Sequence, residues 1–211
     1  TFEHQQADIS QYLAYKGQML NTFDLDLTSK SILNCSFDCL GSTMLPGIAT
    51  VLPGALQESR AFDIMNATVN VGNLWFNGAP LTDTKLKSLK LKVDNGLREQ
   101  DAIATMGLAG VGNGNVTVTG SFDAYFANGT FLNFYKNDTY IPLAFTVADT
   151  SGNGYAFSMG RVMLNEVNVT AGSVNSDCMV TCTYQAYNDD ANAVAALRKT
   201  LFIDRFGAAL V

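Results

Sequence analysis

The chain has 211 residues, of which 47% are hydrophobic and 15% charged, and it carries a net charge of −6 with a pI near 4.6. This charge argues against a nucleic-acid-binding protein, because neutralising phosphates needs clustered Lys and Arg, and the 13 basic residues here are scattered. The sequence contains no run of about 18 apolar residues that could form a membrane-spanning helix, and no secretory signal pattern.

The first strong pattern is a β-hairpin at residues 21–41, NTFDLDLTSKSILNCSFDCLG. Side chains of a strand point alternately to opposite faces, so Phe23, Leu25 and Leu27 share one apolar face. A short connection at residues 28–30 joins the two predicted strands. The opposite face is polar and partly acidic, and its residues are Asp24, Asp26, Asn34, Ser36 and Asp38. This face either meets water or carries a function.

The next segment, residues 41–62, is predicted to be a long loop, because two Pro-Gly pairs interrupt any regular pattern. A loop of this length in a compact domain is usually functional or mobile. Large apolar side chains that such a loop exposes need a partner that buries them. In this segment, the large apolar residues expected to be exposed are Met44, Leu45, Ile48, Val51 and Leu52.

Alternation of apolar and polar residues continues through the rest of the chain. The segment TKLKSLKLKVDN at residues 84–95 predicts a strand whose lysines form a solvated face or protect a sheet edge. Five further strands are predicted, at residues 116–126, 141–149, 154–170, 178–187 and 199–206. Such a succession of segments joined by polar turns predicts an antiparallel β-sandwich or barrel.

Helix is scarce in this pattern. The best helix is predicted at residues 128–137, NGTFLNFYKN, where Phe131 and Tyr135 recur at helical spacing and Thr130 can cap the first turn. Weaker helical patterns occur at residues 7–15 and 191–199. The predicted fold class is therefore all-β, an antiparallel β-sandwich or barrel with one short flanking α-helix. No repeat or linker divides the sequence, so residues 1–211 are predicted to form a single domain.

The four cysteines occur as two C-x3-C pairs, Cys35 with Cys39 and Cys178 with Cys182. Residues i and i+4 of a strand lie about 13 Å apart, which is too far for a disulfide bond or for chelation of one metal ion. Their apolar neighbours favour small buried thiols in a reducing compartment. A disulfide across two strands is the alternative.

Residues suited to catalysis or metal binding are few. The only histidine is His4, and no Ser or Cys lies in a nucleophile-elbow sequence. The glycine-rich segment 107–118 lacks phosphate-loop spacing, and the calcium-like turn at residues 149–154 lacks the bidentate Glu that should follow it. The hairpin carboxylates would suit glycoside hydrolysis only beside a substrate groove. We therefore predict no enzyme activity, no cofactor and no metal site.

Three longer segments follow one another in a characteristic order. The first, YKGQMLNTFDLDLTSKSILNCSFDCLG, is a hairpin between two glycines. The second, NVTVTGSFDAYFANGTFLNFYKNDTYIPLAFTVADTSGNGYAFSMGRVMLNEVNVT, combines a V-T-G strand, a short helix, a D-x-x-G-x-G turn and a G-R-V step. The third, CTYQAYNDDANAVAALRKTLFIDRF, has two strands around an acidic turn. From about Thr1 to Phe206, this order resembles the tail tube proteins of long-tailed, siphovirus-type bacteriophages, the major tail protein family.

The resemblance implies a structural virion protein with a tail-tube-like β fold. Such subunits form hexameric rings that stack into a tube, and the phage genome passes through its central channel during ejection. It implies that the polar hairpin residues Asp24, Asp26, Asn34, Ser36 and Asp38 line the channel and repel DNA phosphates. Alternation leaves open whether Thr117, Thr119 and Asp123 line it instead.

Partners and location also follow from the resemblance. The expected partners are further copies of the chain, a tape measure protein, a tail terminator and tail-tip proteins, with double-stranded DNA passing but not specifically bound and no membrane contact. The expected location is the phage tail, after synthesis in the bacterial cytoplasm. The loop at residues 41–62 would become ordered against a neighbouring subunit. Because family members have additional N-terminal sequence, an N-terminal part of the natural protein is expected to be absent.

Two other classes of function stay open. A β-sandwich adhesin or carbohydrate-binding module could use Trp75, in NLWFNG, although no stripe of aromatic residues accompanies it. An enzyme is the third class. Assembly into higher-order particles without any ligand is expected only of the tail tube subunit, so it distinguishes the three.

Overall fold

Alternating sequences form most of the secondary structure in the computed structural model, which describes residues 1–52, 64–72, 74–82 and 84–207. The first eight strands are β1 Phe2–Gln6, β2 Gln11–Lys16, β3 Met19–Thr28, β4 Asn34–Leu40, β5 Thr43–Gly47, β6 Trp75–Phe76, β7 Ala79–Pro80 and β8 Leu86–Asp94. The remaining elements are β9 Arg98–Gln100, β10 Gly110–Gly112, β11 Thr117–Tyr125, helix α1 Thr130–Lys136, β12 Ile141–Ala148, β13 Gly154–Thr170, β14 Met179–Tyr187, a 3-10 turn Ala195–Leu197 and β15 Phe202–Phe206. The fold is all-β and antiparallel, with one short α-helix, as predicted.

The chain forms two compact units, each built from three segments. The first unit consists of Thr1–Phe23, Ser36–Phe62 and Asp94–Val116, and the second of Asp24–Cys35, Asp63–Val93 and Thr117–Val211. The prediction of one domain over residues 1–211 stays a prediction.

The first unit contains two small antiparallel sheets. One has the strand order β1-β2-β5, with Phe2 opposite Tyr15 and Tyr15 opposite Met44. The other is the β9–β10 hairpin. Ala14 is the one buried hydrophobic residue that this unit contributes within the described part of the chain. A unit with so small an interior leaves most of its apolar side chains in contact with solvent.

The second unit contains most of a ten-stranded sheet and the hydrophobic core. The strand order is β4-β3-β8-β11-β14-β13-β12-β6-β7, and β15 pairs with β13. Every second residue of the central strands is buried, as the alternation predicts: Leu89 and Leu91 on β8, Val118, Phe122 and Ala124 on β11, and Val180, Cys182, Tyr184 and Ala186 on β14. The opposite, polar side of these strands is therefore left outside the core.

Strand β13 is long enough to serve two sets of partners. Its first part, Gly154–Ser158, pairs with both β12 and β15, and its second part, Arg161–Thr170, pairs with β14. The register shifts between Leu164 and Glu166, which marks a β-bulge.

Helix α1 lies where the sequence places it, but its first turn differs from the prediction. Thr130 is the first helical residue, and the cap position is occupied by Gly129, which has no side chain to form a capping hydrogen bond. The Asn128 side-chain oxygen instead accepts a hydrogen bond from the Thr130 backbone N–H at 3.0 Å. Phe131 anchors the helix, because its buried ring lies 5.2 Å from Phe76 and 5.1 Å from Phe122 between centroids.

The two weaker helices predicted from the sequence are not formed as helices. Residues 11–15 of the first belong to strand β2, because pairing with β1 and β5 outweighs a weak local propensity. The second is reduced to the 3-10 turn Ala195–Leu197. The segment predicted as a loop at residues 41–62 includes strand β5, and its residues 53–62 lie outside the described part.

Strand β4 departs from the predicted burial. Cys35 and Phe37 occupy apolar positions of the alternating sequence, which predicts that they are buried, but both are exposed, and Phe37 is 61% accessible. The reason is that β4 ends the sheet order and pairs with β3 alone among the described strands, so its other edge has no neighbouring strand whose side chains could cover Cys35 and Phe37. Phe37 contacts Phe23 instead, with ring centroids 5.1 Å apart.

The cysteines are all free thiols, so no disulfide is present across the strands. The prediction that they are buried holds only for Cys182, since Cys35 is exposed and the other two are half-buried. The apolar neighbours of Cys35 lie on a strand whose two faces are both accessible, so they do not bury it.

Candidate functional site

The side of strands β8, β11 and β14 that faces away from the core forms a continuous polar surface. In the register of β11 and β14, Thr119 lies opposite Gln185, Ser121 opposite Thr183 and Asp123 opposite Thr181. Strand β13 extends the surface, because Arg161 lies opposite Tyr187, Met163 opposite Gln185 and Glu166 opposite Thr183. We call this surface the polar face; its described residues are Asp26, Thr28, Ser88, Lys90, Thr119, Ser121, Asp123, Arg161, Met163, Glu166, Asn168, Thr181, Thr183, Gln185 and Tyr187.

Asp123 is the best-connected acid of the polar face. Thr181 Oγ1 donates a hydrogen bond to Asp123 Oδ1 at 2.7 Å, and Ser88 Oγ donates to Oδ2 at 2.8 Å. The Thr181 hydrogen bond is the main cause that holds the pKa of the Asp123 carboxyl below its usual value, and Ser88, Lys87 and Lys90 act in the same direction against partial burial. Asp123 is therefore ionised and fixed in orientation at neutral pH.

Asp26 belongs to the same surface and is paired with a lysine. Lys90 Nζ lies 3.5 Å from Asp26 Oδ2, and Thr28 Oγ1 donates to Asp26 Oδ1 at 2.8 Å. The Lys90 and Asp26 side chains are 58% and 41% accessible, so solvent screens this ion pair and it adds little to the free energy of unfolding. Its consequence is electrostatic, because the lysine partly neutralises a face that the sequence presents as acidic.

A cation over an aromatic ring occupies another part of the polar face. The Arg161 guanidinium carbon lies 3.9 Å from the centroid of the Tyr140 ring, and Tyr187 meets the same ring edge-on with centroids 5.9 Å apart. Contacts of this kind hold a guanidinium in place without a carboxylate partner. Tyr187 Oη also donates a hydrogen bond to Gln185 Oε1 at 3.3 Å.

The residues singled out from the hairpin are placed as follows. Asp24 and Asp26 are both half-buried on β3, whereas Asn34, Ser36 and Asp38 are exposed on β4. The structure joins Asp26 to Lys90, a residue that the hairpin pattern alone could not identify. The alternative set also contributes, because Thr119 and Asp123 lie on the polar face.

Sequence reasoning missed Ser88 and Thr181, which hold Asp123. The sequence does indicate that both residues lie on the polar side of the sheet, since each occupies a polar position in an alternating strand. Alternation assigns a residue to a face but does not identify its cross-strand partner, which depends on the register.

The apolar residues singled out from segment 41–62 are all exposed. Met44 and Leu45 lie on strand β5, and Ile48, Val51 and Leu52 follow it. The Glu3 carboxylate stabilises this following segment by accepting hydrogen bonds from Thr50 Oγ1 at 2.6 Å and the Val51 N–H at 2.8 Å. The Thr50 hydrogen bond is the main cause that lowers the pKa of Glu3.

Features that suggested other chemistry have structural explanations. The Asp149 carboxylate accepts hydrogen bonds from the Ser151 and Asn153 backbone N–H groups and the Asn153 side chain, so the calcium-like segment is a turn between β12 and β13. Within the described ranges, no group of three or more His, Cys, Asp or Glu could hold a metal ion. None of the helices found there is long and apolar enough to cross a membrane. Trp75 is partly exposed at the short strand β6.

Comparison with known proteins identifies the family. The family model described as phage tail tube protein matches residues 1–186, which is most of the chain and includes all of the polar face except Tyr187, the last residue of β14. No curated protein sequence matches the chain. The matched length shows that this chain belongs to the phage tail tube protein family.

Proposed function

We propose that the chain is the ring subunit of the tail tube of a long-tailed, siphovirus-type phage. Hexameric rings of the chain stack into a tube, and the tube forms the channel for DNA during ejection. The observation that carries this proposal is the family match over residues 1–186. The all-β fold with a large polar face supports it.

The polar face is proposed to face the channel. Hydroxyl and amide groups predominate on it, and two of its charges form the Asp26–Lys90 pair. A surface of this kind offers few free cations that could hold a phosphate, while its ionised Asp123 repels the DNA backbone. Asp24, Asp26, Asn34, Ser36 and Asp38 stay proposed as channel residues, and Thr119 and Asp123 join them.

The exposed apolar residues on and directly after strand β5 are proposed to contact a neighbouring subunit. Met44, Leu45, Ile48, Val51 and Leu52 are accessible in the single chain, and a cluster of this kind is a usual mark of a protein interface. Contact with a second copy would bury them. It would also give the first unit further buried apolar residues, since Ala14 is its one buried hydrophobic residue among those described.

The remaining partners follow from the place of a tube in a phage particle. A tape measure protein would occupy the channel during assembly, and a tail terminator and tail-tip proteins would close the two ends. The proposed location is the virion. Double-stranded DNA passes the subunit without specific binding, and catalysis has no part in this role.

Self-assembly of the purified chain tests the proposal. We expect negative-stain electron microscopy to show rings or stacked tubes with a central hole, and light scattering to give masses of many subunits that rise with protein concentration. A monodisperse monomer at every concentration would contradict assembly as a property of the chain alone. That result would favour a binding module that uses Trp75.

A further inference from the structure

The connection between β9 and β10 carries two of the most exposed apolar side chains in the described structure. Met106 is 96% accessible, and Ile103 is fully accessible. We call residues 101–106, DAIATM, the apolar tip. Water surrounds both side chains, which is unfavourable for the isolated chain and is relieved by any partner that covers them.

The apolar tip is held firmly at its base. The Ala109 N–H donates to the Gln100 carbonyl at 2.8 Å, and the Thr105 N–H donates to the Ala102 carbonyl at 3.3 Å within the tip. Ser42 fastens the end of the connection, because its carbonyl accepts from the Leu108 N–H and its Oγ donates to the Leu108 carbonyl. These hydrogen bonds anchor both ends of the connection that carries the two apolar side chains.

A groove between the start of β8 and the segment before it has matching properties. It has a volume of about 280 Å³, enough for one or two aliphatic side chains. Its half-buried walls include Val71, Leu74, Leu81 and Leu86, and the charged residues of its described lining are both lysines, Lys85 and Lys87.

The charges beside the tip have the opposite sign. Glu99 and Asp101 are exposed at its base, while the neighbouring Arg98 guanidinium donates to the Asn113 carbonyl at 3.3 Å. The groove has a mixed lining, with Ser29, Thr84 and Ser88 beside its aliphatic walls. An apolar projection beside acids therefore complements the aliphatic walls and the lysines of the groove.

We propose that the apolar tip of one copy docks into this groove of a second copy, with Ile103 and Met106 in the groove and Asp101 beside Lys85. The contact joins two different surfaces, so each copy keeps a free tip and a free groove, and the contact repeats from copy to copy. Repetition of this kind builds rings or stacks. The inference rests on the proposed tail tube function and names a pair of surfaces that hold its subunits together.

Substitutions in the tip test the proposal without disturbing the fold, since Ile103 and Met106 are almost fully accessible. The double variant Ile103→Ser, Met106→Ser is compared with Val174→Ser, whose side chain is 91% accessible and lies outside the tip. We expect the concentration needed for assembly, measured by light scattering, to rise by about tenfold or more in the tip variant and to stay unchanged in the control.

Charge exchange adds a test of the specific pairing. Asp101→Lys and Lys85→Glu should each weaken assembly, and the two changes combined in one chain should restore it in part. A photo-crosslinking amino acid is placed at position 103 of an otherwise unchanged chain, which is then mixed with isotope-labelled chain. We expect intermolecular crosslinks to residues 71–89.

Two results would overturn the inference in distinguishable ways. Normal assembly of the tip variant, with crosslinks outside residues 71–89, would contradict the docking and leave the tail tube function intact. A wild-type chain that never assembles would contradict the proposed function, and the docking inference would fall with it.

Discussion

Tyr184 covers Gly120 directly across the β11–β14 pair, and its hydroxyl donates a hydrogen bond to the Lys90 carbonyl of β8 at 2.9 Å. A glycine in a strand normally weakens it, but here the missing side chain makes room for the tyrosine ring. A Cβ at position 120 would collide with the Lys90 carbonyl oxygen and the Tyr184 ring. Three strands beneath the polar face are therefore joined by one buried side chain.

We expect Gly120→Ala to lower the free energy of unfolding by about 1–3 kcal/mol, because neither the backbone carbonyl nor the buried ring can move away easily. Urea denaturation followed by circular dichroism measures the change. Gly129→Ala is the matched control, since nothing lies within 4 Å of a Cβ at that position. Equal stability of the two variants would show that the contact of Tyr184 with residue 120 is not tight.

The free energy of unfolding should fall at alkaline pH because of two buried acids. Burial raises the pKa of Tyr184, and burial, with a contribution from Asp123, raises the pKa of the Cys182 thiol to about 12. The unfolded chain ionises these groups near their ordinary pKa values, whereas the folded chain keeps them protonated. Their stabilising contribution is complete below the unfolded pKa and is lost as the pH rises through the folded value.

The decline should begin near pH 8.5 for the thiol and near pH 10 for the phenol, and each group contributes up to about 1.4 kcal/mol per pH unit. Urea denaturation at a series of pH values measures the free energy of unfolding across this range. Tyr184→Phe and Cys182→Ala should each make its decline with pH less steep. Tyr184→Phe should also cost about 1 kcal/mol at neutral pH, since the Lys90 carbonyl loses its hydrogen-bond donor. Unchanged slopes in both variants would contradict the burial of these groups.

Asp123 should make the fold sensitive to acid. Its pKa is lowered mainly by the Thr181 hydrogen bond, so its stabilising contribution is present above the ordinary carboxyl pKa of about 3.9 and is lost as the pH falls below it. Thr181→Val should reduce the acid-dependent part of the free energy of unfolding. Thr183→Val is the control, because Thr183 lies opposite Ser121 and does not contact Asp123 in the pairing. A similar acid dependence in both variants would show that Thr181 does not stabilise the ionised carboxyl.

The charge of the proposed channel residues on strands β3 and β4 should affect DNA passage. We expect the triple variant Asp24→Lys, Asp26→Lys, Asp38→Lys to slow DNA release from assembled particles by roughly tenfold at low salt, since lysines attract the phosphates that pass them. Fluorescence of a DNA-binding dye measures release, and added salt should reduce the difference. The matched Asn triple variant should have a much smaller effect. Equal rates for the Lys and Asn variants would remove these positions from the channel wall.

Much of the architecture could be predicted because it depends on alternation alone. Strands β11 to β14 and helix α1 lie within a few residues of their predicted positions, since their apolar residues occupy every second place or helical spacing. Strand β2 could not be predicted, because residues 11–16 have no clear alternation and are strand only through pairing with β1 and β5. Local sequence does not encode such a partner.

The functional surface could be predicted only in part for the same reason. The pattern identified a polar side on β3 and on β11, but the ion pair of Asp26 with Lys90 and the contacts of Asp123 with Ser88 and Thr181 join residues far apart in the chain. The exposure of Phe37 could not be predicted either, because it depends on β4 being the terminal strand of the sheet order.

A cryo-electron microscopy reconstruction of the assembled chain, at a resolution that shows side chains, would show which surface lines the channel. We expect hexameric rings stacked around a central channel, with Asp26, Lys90 and Asp123 on the channel wall. A tube in which this polar face lies on the outside, or is buried between subunits, would contradict the proposed role of the face.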